Sequence, residues 1–259
     1  MSALLGYADG QPLNSGQMYP DAVAGLYGFS AIMTALHHRD RTGEGQYIDL
    51  SMQEANLAHV GDAALEYSMT GEQRGRLGNR HMTFAPHGIF PSLAGADGRA
   101  RWVAIAAEDE AQWGALCAAA GRGWDLDERF VDNAGRKGHE DELEAAIAEW
   151  TASEERDGLA ARLGEAGVIA APVLDSLEVA EDPVLRERGV IVELEHSEAG
   201  VWPQVGAPFH FSATPVAVER AAPAQGQHSF EVFSEFLGMS RERYEELVAK
   251  NVSGEGPPE

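Results

Sequence analysis

Asp21 carries a carboxylate directly before an apolar helical pattern, where a helix is expected to begin. The positive end of a helix dipole attracts negative charge, and an ionised carboxylate is the form that attacks an electrophile. The same position also suits a helix N-cap, whose side chain accepts hydrogen bonds from backbone N–H groups. The two interpretations are compatible. Asp9 lies in an Asp-Gly pair that is typical of a turn, so we do not expect it to be catalytic.

A short basic segment supplies the second group of candidate residues. Residues 71–101 contain five arginines against two acidic residues, a local balance of +3 in an otherwise acidic chain. Within it, Asn79, Arg80, His81 and His87 could bind a carboxylate, since arginine and histidine both donate hydrogen bonds to such groups. The alternative is that Arg80 pairs with a surface acid and that both histidines take part in ordinary loop packing. The sequence leaves both open.

Self-contained catalytic motifs are missing from the chain. It has no G-x-S-x-G elbow, no phosphate-binding G-x-x-x-x-G-K-[ST] loop, no H-E-x-x-H and no C-x-x-C. Its nine histidines are scattered, so we expect no metal site. Cys117 is the single cysteine and cannot form an internal disulfide, which suits a reducing compartment; we therefore expect a cytoplasmic protein.

Composition limits the class of protein further. The chain has 259 residues, of which 44% are apolar and 24% charged, enough to bury a sizeable core. A net charge of −23 argues against nucleic acid as a partner, because phosphate binding needs a basic surface. No stretch approaches the ~20 consecutive apolar residues of a membrane helix, and the first residues do not resemble a signal peptide. We expect neither membrane insertion nor export.

Helices and a short strand are predicted around Asp21. A helix that begins at Asp21 would bury one face, because apolar residues recur every three or four positions at Val23, Leu26, Phe29, Met33 and Leu36. Residues 47–50 alternate apolar and polar side chains, which predicts a strand. Ser51 can cap a second helix over residues 52–69.

An α/β unit is predicted to follow the basic loop. Residues 89–91 and 101–107 indicate a hairpin whose turn contains Asp97-Gly98. Amphipathic patterns then predict helices over residues 109–120, 140–150 and 153–165, and Pro172 suggests that the strand at 168–174 is an edge strand. Towards the C-terminus we expect a helix over 182–188, a strand over 190–194, an irregular or edge-strand stretch over 200–215, and helices over 229–237 and 241–250.

Seven groups of residues occur in a characteristic order and spacing. They are residues 19–26, 39–55 with Arg41-Thr42-Gly43-Glu44-Gly45, 76–81 with 85–88, 97–98 before 103–106, 166–173, 182–186 and 236–240. Together they closely resemble the family III coenzyme A transferases, the group that contains formyl-CoA transferase and crotonobetainyl-CoA:carnitine CoA-transferase. The resemblance covers about residues 6–252 but only the C-terminal portion of the longer family members.

The resemblance implies the C-terminal part of that α/β fold. Residues 1–71 would form the end of the large domain and connecting helices, residues 72–185 the small α/β domain, and residues 186–259 a segment that returns to the large domain. The nucleotide-binding half would be largely absent from this chain. Full-length members form dimers, so the expected partners are a second copy or a second chain that carries the N-terminal half.

The resemblance also implies a chemistry. The family nucleophile lies about twenty residues before Arg-Thr-Gly-x-Gly, at the position of Asp21. An aspartyl-CoA intermediate would carry coenzyme A between carboxylic acids, with CoA thioesters as substrates and no permanently bound cofactor. Residues 80–88 are bulky and basic where formyl-CoA transferase has a glycine-rich loop. This difference argues against oxalate or formate and favours a larger acyl group held by Asn79, Arg80, His81 and His87.

Two other functions remain open. The chain could be related to the acyl-CoA racemases, in which the aspartate shuttles a proton opposite a histidine of the other half. It could also be a non-catalytic partner or a truncated remnant, inactive without a CoA-binding half. The sequence does not identify the acyl donor, the acceptor, the pathway or the residues that contact CoA.

Overall fold

A computed structural model describes residues 2–14, 16 and 18–254 and shows the mixed α/β architecture that the sequence predicts. The regular elements in chain order are α1 (Tyr19–Thr42), α2 (Met52–Leu57), α3 (Gly61–Thr70), β1 (His87–Ser92), β2 (Arg101–Ala106), α4 (Glu110–Ala120), α5 (Asn133–Gly138), α6 (Glu140–Thr151), α7 (Arg156–Glu165), β3 (Ile169–Val173), α8 (Ser176–Glu181), α9 (Pro183–Glu187), β4 (Ile191–His196), β5 (Gly200–Val205), α10 (Ser229–Leu237) and α11 (Arg241–Ala249). The chain divides into two compact units, residues 1–173 and 174–259.

A three-stranded antiparallel sheet organises the first unit. Its order is β1-β2-β3, with β2 in the centre, and Phe90 of β1 lies opposite Val103, which lies opposite Pro172 of β3. The predicted hairpin is confirmed. Gly98 in its turn has φ +76°, a left-handed conformation that glycine adopts without steric cost. The prediction that residues 168–174 contain an edge strand is confirmed as well.

The hydrophobic core of the first unit lies between one face of this sheet and helices α4, α6 and α7. Val103 and Ile105 point into it from β2, because alternate residues of a strand face the same side. The amphipathic patterns predicted for the three helices are confirmed, because the apolar residues that form them are buried: Trp113, Leu116, Leu143, Ile147, Trp150, Leu159 and Leu163. Each large side chain buried in this way contributes about 1.5–3 kcal/mol.

Helix α1 differs from the prediction at its start and on its surface. The residue before the helix is Met18, so Asp21 lies in the first turn rather than at the N-cap. Ala24 is buried, but Leu26 and Phe29 are 69% and 63% exposed and Met33 is also exposed. The predicted buried face is therefore wrong for this chain, because no described element covers these side chains.

The short strand predicted for residues 47–50 does not form. This stretch is without regular secondary structure, and Tyr47 is 90% exposed. A strand needs a neighbouring strand to satisfy its backbone groups, and none of the strands described pairs with this stretch. Ser51 caps α2 as predicted, accepting from the Glu54 N–H at 3.3 Å, although the predicted helix is interrupted at Ala58–Val60.

The second unit contains short elements that mostly match the prediction. Strands β4 and β5 form an antiparallel pair, and the predicted helices over 182–188, 229–237 and 241–250 correspond to α9, α10 and α11. Phe230 and Phe233 of α10 pack against Tyr244 of α11, with ring centroids 5.5 and 6.1 Å apart. Helix α8 was not predicted; a capping box between Asp175 and Glu178 begins it. No helix in the described parts of the chain could cross a membrane.

Candidate functional site

The loop between α3 and β1 brings four of the five predicted site residues together. Asn79, Arg80 and His87 line a cavity of about 430 Å³, which also borders the sheet. A second cavity of about 800 Å³ shares Asn79 and Arg80 and extends towards α6. Both volumes lie in the range of small-molecule sites. His81 adjoins this region through its ring contacts with Phe84 and His87.

Arg80 is bound by acidic residues of α6. Its Nε donates to Glu144 at 2.9 Å and its Nη2 donates to the other oxygen of the same carboxylate at 2.6 Å. Nη2 also contacts Asp141, and Glu140 lies 3.8 Å from Nε. The hydrogen bonds with Glu144 are the main cause of a raised Arg80 pKa. The positive charge of Arg80 is therefore balanced within the protein, as the surface-pair alternative proposed.

His81 and Phe84 of this loop form an aromatic cluster with His87, the first residue of β1. The His81 ring stacks on Phe84 with centroids 3.9 Å apart, and His87 lies 5.6 Å from both. His81 Nδ1 accepts a hydrogen bond from the Thr83 N–H at 3.2 Å. His87 Nδ1 donates to the backbone carbonyl of Asn79. Because this bond occupies Nδ1, Nε2 is the His87 nitrogen left for a ligand.

Helix α5 holds this loop through bonds to its backbone. Asn133 donates from Nδ2 to the Thr83 carbonyl at 2.7 Å and accepts from the Ala85 N–H at 3.1 Å. Lys137 Nζ donates to the His81 carbonyl at 2.8 Å. The sequence reasoning missed these residues. The sequence pattern that could have predicted them is the acid Asp132, a suitable N-cap, followed by Asn133 and by Arg136 and Lys137 three and four positions later. This spacing is typical of a short helix with one polar face.

Arg136 is the third α5 residue that supports the loop, and it is 1% exposed. Its Nε donates to the Ala85 carbonyl at 2.8 Å, and its two terminal nitrogens donate to the Glu110 carboxylate at 3.0 and 2.8 Å. The hydrogen bond with Arg136 lowers the pKa of Glu110. The guanidinium also lies 4.9 Å from the Trp113 ring. A buried charge needs such partners, which explains why the loop backbone is fixed here.

Residues near the N-terminus cover the other side of the loop. Arg76 Nε donates to the Tyr7 carbonyl at 3.1 Å, and Nη2 donates to the Gly10 carbonyl at 2.6 Å. The Tyr7 ring packs against Gly78 so closely that a Cβ on Gly78 would lie 2.6 Å from it. Asn79 Nδ2 donates to the Tyr7 hydroxyl at 3.2 Å. Tyr7 and Asp9 consequently form part of the wall of the larger cavity.

Asp21 lies apart from these two cavities. It is exposed in the first turn of α1 and lines neither of them. Within the described residues its carboxylate makes no hydrogen bond or ion pair, while its backbone N–H donates to the Met18 carbonyl at 2.9 Å. The carboxylate is therefore accessible and is not held by a partner among the described residues. A carboxylate that acts as a nucleophile must be accessible in this way.

Residues able to hold a metal ion do not cluster in the described structure, where no group of three or more His, Cys, Asp or Glu side chains has suitable geometry. The loop instead offers neutral and cationic hydrogen-bond donors beside apolar side chains. Such a combination can bind a small carboxylate with an aliphatic part.

Comparison with known proteins shows which family this chain resembles. The family model described as CoA-transferase family III matches residues 1–229. The chain is 32% identical over 240 residues to the succinate–glutarate CoA-transferase of Agrobacterium fabrum, covering 92% of this chain and 58% of that protein. It is also 32% identical over 251 residues to the succinyl-CoA–D-citramalate CoA-transferase of Chloroflexus aurantiacus, covering 96% of this chain and 61% of that protein.

A solved structure shares the fold. The crystal structure of a CaiB/BaiF family protein from Brucella suis is similar, with a TM-score of 0.77 and 31% sequence identity. The match covers 90% of this chain and 59% of that one. The chain thus spans about three fifths of the length of these relatives.

Proposed function

The chain belongs to CoA-transferase family III, as its sequence motifs predicted, and from this premise we propose that it transfers coenzyme A between carboxylic acids through a covalent intermediate on Asp21. The observation that carries the proposal is the accessible carboxylate of Asp21, without a side-chain partner among the described residues, at the motif position of the family nucleophile.

Each step of the proposed reaction exchanges one acyl bond for another. A carboxylate oxygen of Asp21 attacks the acyl carbon of the donor thioester, and the C–S bond breaks to release CoA thiolate and leave a mixed anhydride. The thiolate attacks the aspartyl carbonyl, which releases the donor acid and forms aspartyl-CoA. The acceptor carboxylate then attacks the aspartyl carbonyl of aspartyl-CoA, which releases CoA thiolate and forms a second mixed anhydride. The thiolate attacks the acceptor carbonyl of this anhydride, which forms acceptor-CoA and releases the Asp21 carboxylate. No oxidant, metal or net proton transfer is required.

We propose dicarboxylic acids as the substrate class. The two relatives described above are named for succinate and glutarate and for succinyl-CoA and D-citramalate, and each of these acids has two carboxylates. Asn79 and His87 would face the acyl group, since both line the cavity of about 430 Å³, and His81 would border it through its ring contact with His87. Arg80 would contribute by holding the loop in place, because its guanidinium is already bound to Glu144.

We further propose that activity requires a CoA-binding half. The relatives contain additional sequence beyond the matched part, and the apolar side chains Leu26, Phe29 and Met33 on α1 are exposed. Exposed apolar patches in soluble proteins mark interaction surfaces. The proposed occupant of this α1 face is the nucleotide-binding half of the family fold. Association of two copies of this chain would be the contrary result in a light-scattering measurement.

Covalent labelling of the full chain tests the role of Asp21. The protein is incubated with succinyl-CoA and, in parallel, with millimolar S-succinyl-N-acetylcysteamine, a thioester that lacks the nucleotide. After acid quenching, peptide mass spectrometry is expected to find the thioester adduct on the peptide that contains Asp21. The Asp21→Asn variant should lose the adduct because an amide does not attack the thioester.

The matched control is Asp40→Asn, which removes an exposed carboxylate near the other end of α1 and should keep the adduct. An adduct at Asp9, or one that persists in Asp21→Asn, would assign the nucleophile elsewhere. Absence of any adduct at saturating S-succinyl-N-acetylcysteamine, which needs no nucleotide-binding half, would also reject Asp21. If Asp21 exchanges the substrate α-proton with solvent deuterium and forms no adduct, the chain is related to the racemases instead.

A further inference from the structure

The face of the three-stranded sheet that points away from the helices is apolar. Alternation along the strands places Ala104 and Ala106 of β2 on this face, opposite the core residues Val103 and Ile105. The register aligns Ile89, Ala104 and Ala171 in one row, and His87, Ala106 and Ile169 in the next. We refer to these six residues as the open sheet face.

The cavity of about 430 Å³ lies on the open sheet face and is lined by all six of its residues. Its depth follows from side-chain size: the alanines at 104, 106 and 171 are short, whereas Ile89 and Ile169 stand at its sides, 41% and 46% exposed. A binding site of this kind combines apolar walls with few polar groups. The space suits an aliphatic chain of a few carbons.

His87 presents one of its ring nitrogens to this cavity. His87 Nδ1 donates to the Asn79 carbonyl, which fixes the ring orientation. Nε2 makes no hydrogen bond to any of the residues that the structure describes. A histidine held at one nitrogen presents a directed donor or acceptor at the other, and a protonated ring would donate from Nε2 to a carboxylate.

We infer that the open sheet face is the acyl subsite: the methylene groups of a four- or five-carbon dicarboxylic acyl group lie on Ala104 and Ala171, and its distal carboxylate accepts a hydrogen bond from His87 Nε2. This inference rests on the proposed function, which supplies the acyl thioester as substrate, and adds the position of the acyl group and its size limit. Nothing in it depends on which residue carries the covalent intermediate.

Methyl NMR of the full chain tests the subsite. The probes are S-succinyl-N-acetylcysteamine and S-butyryl-N-acetylcysteamine, which have acyl groups of equal carbon number but only one distal carboxylate. Titration is expected to shift the methyl signals of Ile89 and Ile169, while Ile147 in the core and Ile191 in the second unit stay unchanged. The succinyl probe should bind about tenfold more tightly than the butyryl probe.

Filling the cavity should remove binding. Ala104→Leu places a larger side chain on its floor and should weaken binding of both probes at least about tenfold. Ala171→Leu, on the edge strand, repeats the test if Ala104→Leu fails to fold. Ala152→Leu adds the same atoms at an exposed position that lines neither cavity and should bind both probes like the wild type.

Two substitutions distinguish ligand binding by His87 Nε2 from the structural hydrogen bond that Nδ1 makes to the Asn79 carbonyl. The amide of His87→Asn can still donate to the Asn79 carbonyl from near the Nδ1 position but has no group at Nε2, so the preference for the succinyl probe should disappear. His87→Gln can place its amide near the Nε2 position and should retain part of that preference. Equal loss in both variants would mean that His87 is structural only.

The outcomes also separate this inference from the proposed function. An Asp21 adduct together with unshifted Ile89 and Ile169 signals would overturn the acyl subsite and leave the transferase mechanism standing. Shifted signals without an Asp21 adduct would support the subsite and reject the nucleophile. A third outcome is that NMR signals of the whole open sheet face shift with protein concentration and not with probe. That result would identify the face as a contact between copies of the chain and would also overturn the inference.

Discussion

Arg80 and Glu144, 64 residues apart in the chain, form a two-bond ion pair that attaches the candidate site loop to helix α6. Both side chains are about one third exposed, so solvent screens the pair only in part. A planar guanidinium bound to both oxygens of one carboxylate has little freedom to turn towards a ligand. We therefore propose that Arg80 positions the loop rather than contacting a substrate directly.

Glu144→Gln is expected to lower the unfolding free energy by about 1 kcal/mol, and Arg80→Gln by somewhat more because it also removes the contacts with Asp141 and Glu140. The double variant should lose little more than Arg80→Gln alone. Urea denaturation followed by circular dichroism measures all three. Additive losses would contradict a shared role. If Arg80→Gln alone weakens binding of the succinyl probe, Arg80 contacts the substrate directly.

Gly78→Ala should destabilise the loop and displace Tyr7, because the new Cβ would lie 2.6 Å from the Tyr7 ring and Gly78 has φ +61°. We expect a loss of about 2 kcal/mol, with faster hydrogen exchange in residues 5–13. Gly98→Ala is the matched control, since φ is +76° but nothing lies within 4 Å of its Cβ. Equal losses in the two variants would show that Tyr7 packing contributes nothing.

Glu110→Gln should reduce the change in unfolding free energy that the protein shows as the pH falls from about 7 to about 2. The Arg136 hydrogen bond lowers the folded-state pKa of Glu110, so the ion pair stabilises the protein above the ordinary glutamate pKa of about 4.3. This contribution is lost as pH falls through the lowered folded-state pKa. The substitution should therefore lower the unfolding free energy by about 1–2 kcal/mol at pH 7 and by almost nothing at pH 2. The loss at pH 7 is smaller than for a fully buried ion pair because Glu110 is exposed.

Thermal or urea unfolding of the wild type and Glu110→Gln between pH 2 and pH 7 provides the measurement. Glu142→Gln, which removes an exposed acid of α6, serves as the control for the loss of one carboxylate. A constant difference between wild type and Glu110→Gln at all pH values would show that Glu110 does not act through its charge.

Cys117 should be unreactive while the protein is folded. The thiol is buried on α4, 4% exposed, and burial raises its pKa to about 12. Since the thiolate is the reactive form, a disulfide reagent such as Ellman's reagent should label the folded protein slowly at pH 8 and react rapidly after addition of urea. Rapid stoichiometric labelling of the folded protein would contradict this prediction.

Local patterns in the sequence determined the elements of the first unit that bury one face. The hairpin was predicted from alternating side chains and Asp97-Gly98, and helices α4, α6 and α7 from apolar residues three or four positions apart. These predictions succeeded because periodicity, capping and turn chemistry act between neighbours in the chain. The family motifs likewise predicted CoA-transferase family III, which the comparisons confirm, and proposed Asp21 as the nucleophile.

Only the tertiary structure decided which of these elements are covered and which side chains meet. The apolar pattern on α1 predicts a buried face, but Phe29 is exposed because burial depends on a neighbouring surface that no local spacing specifies. Residues 47–50 alternate like a strand, yet strands require a partner. Arg80 meets Glu144, and Lys137 meets the His81 carbonyl, only because folding brings distant segments together. Sequence periodicity reports a residue's preference for water or core, whereas contacts between distant residues depend on how the whole chain packs.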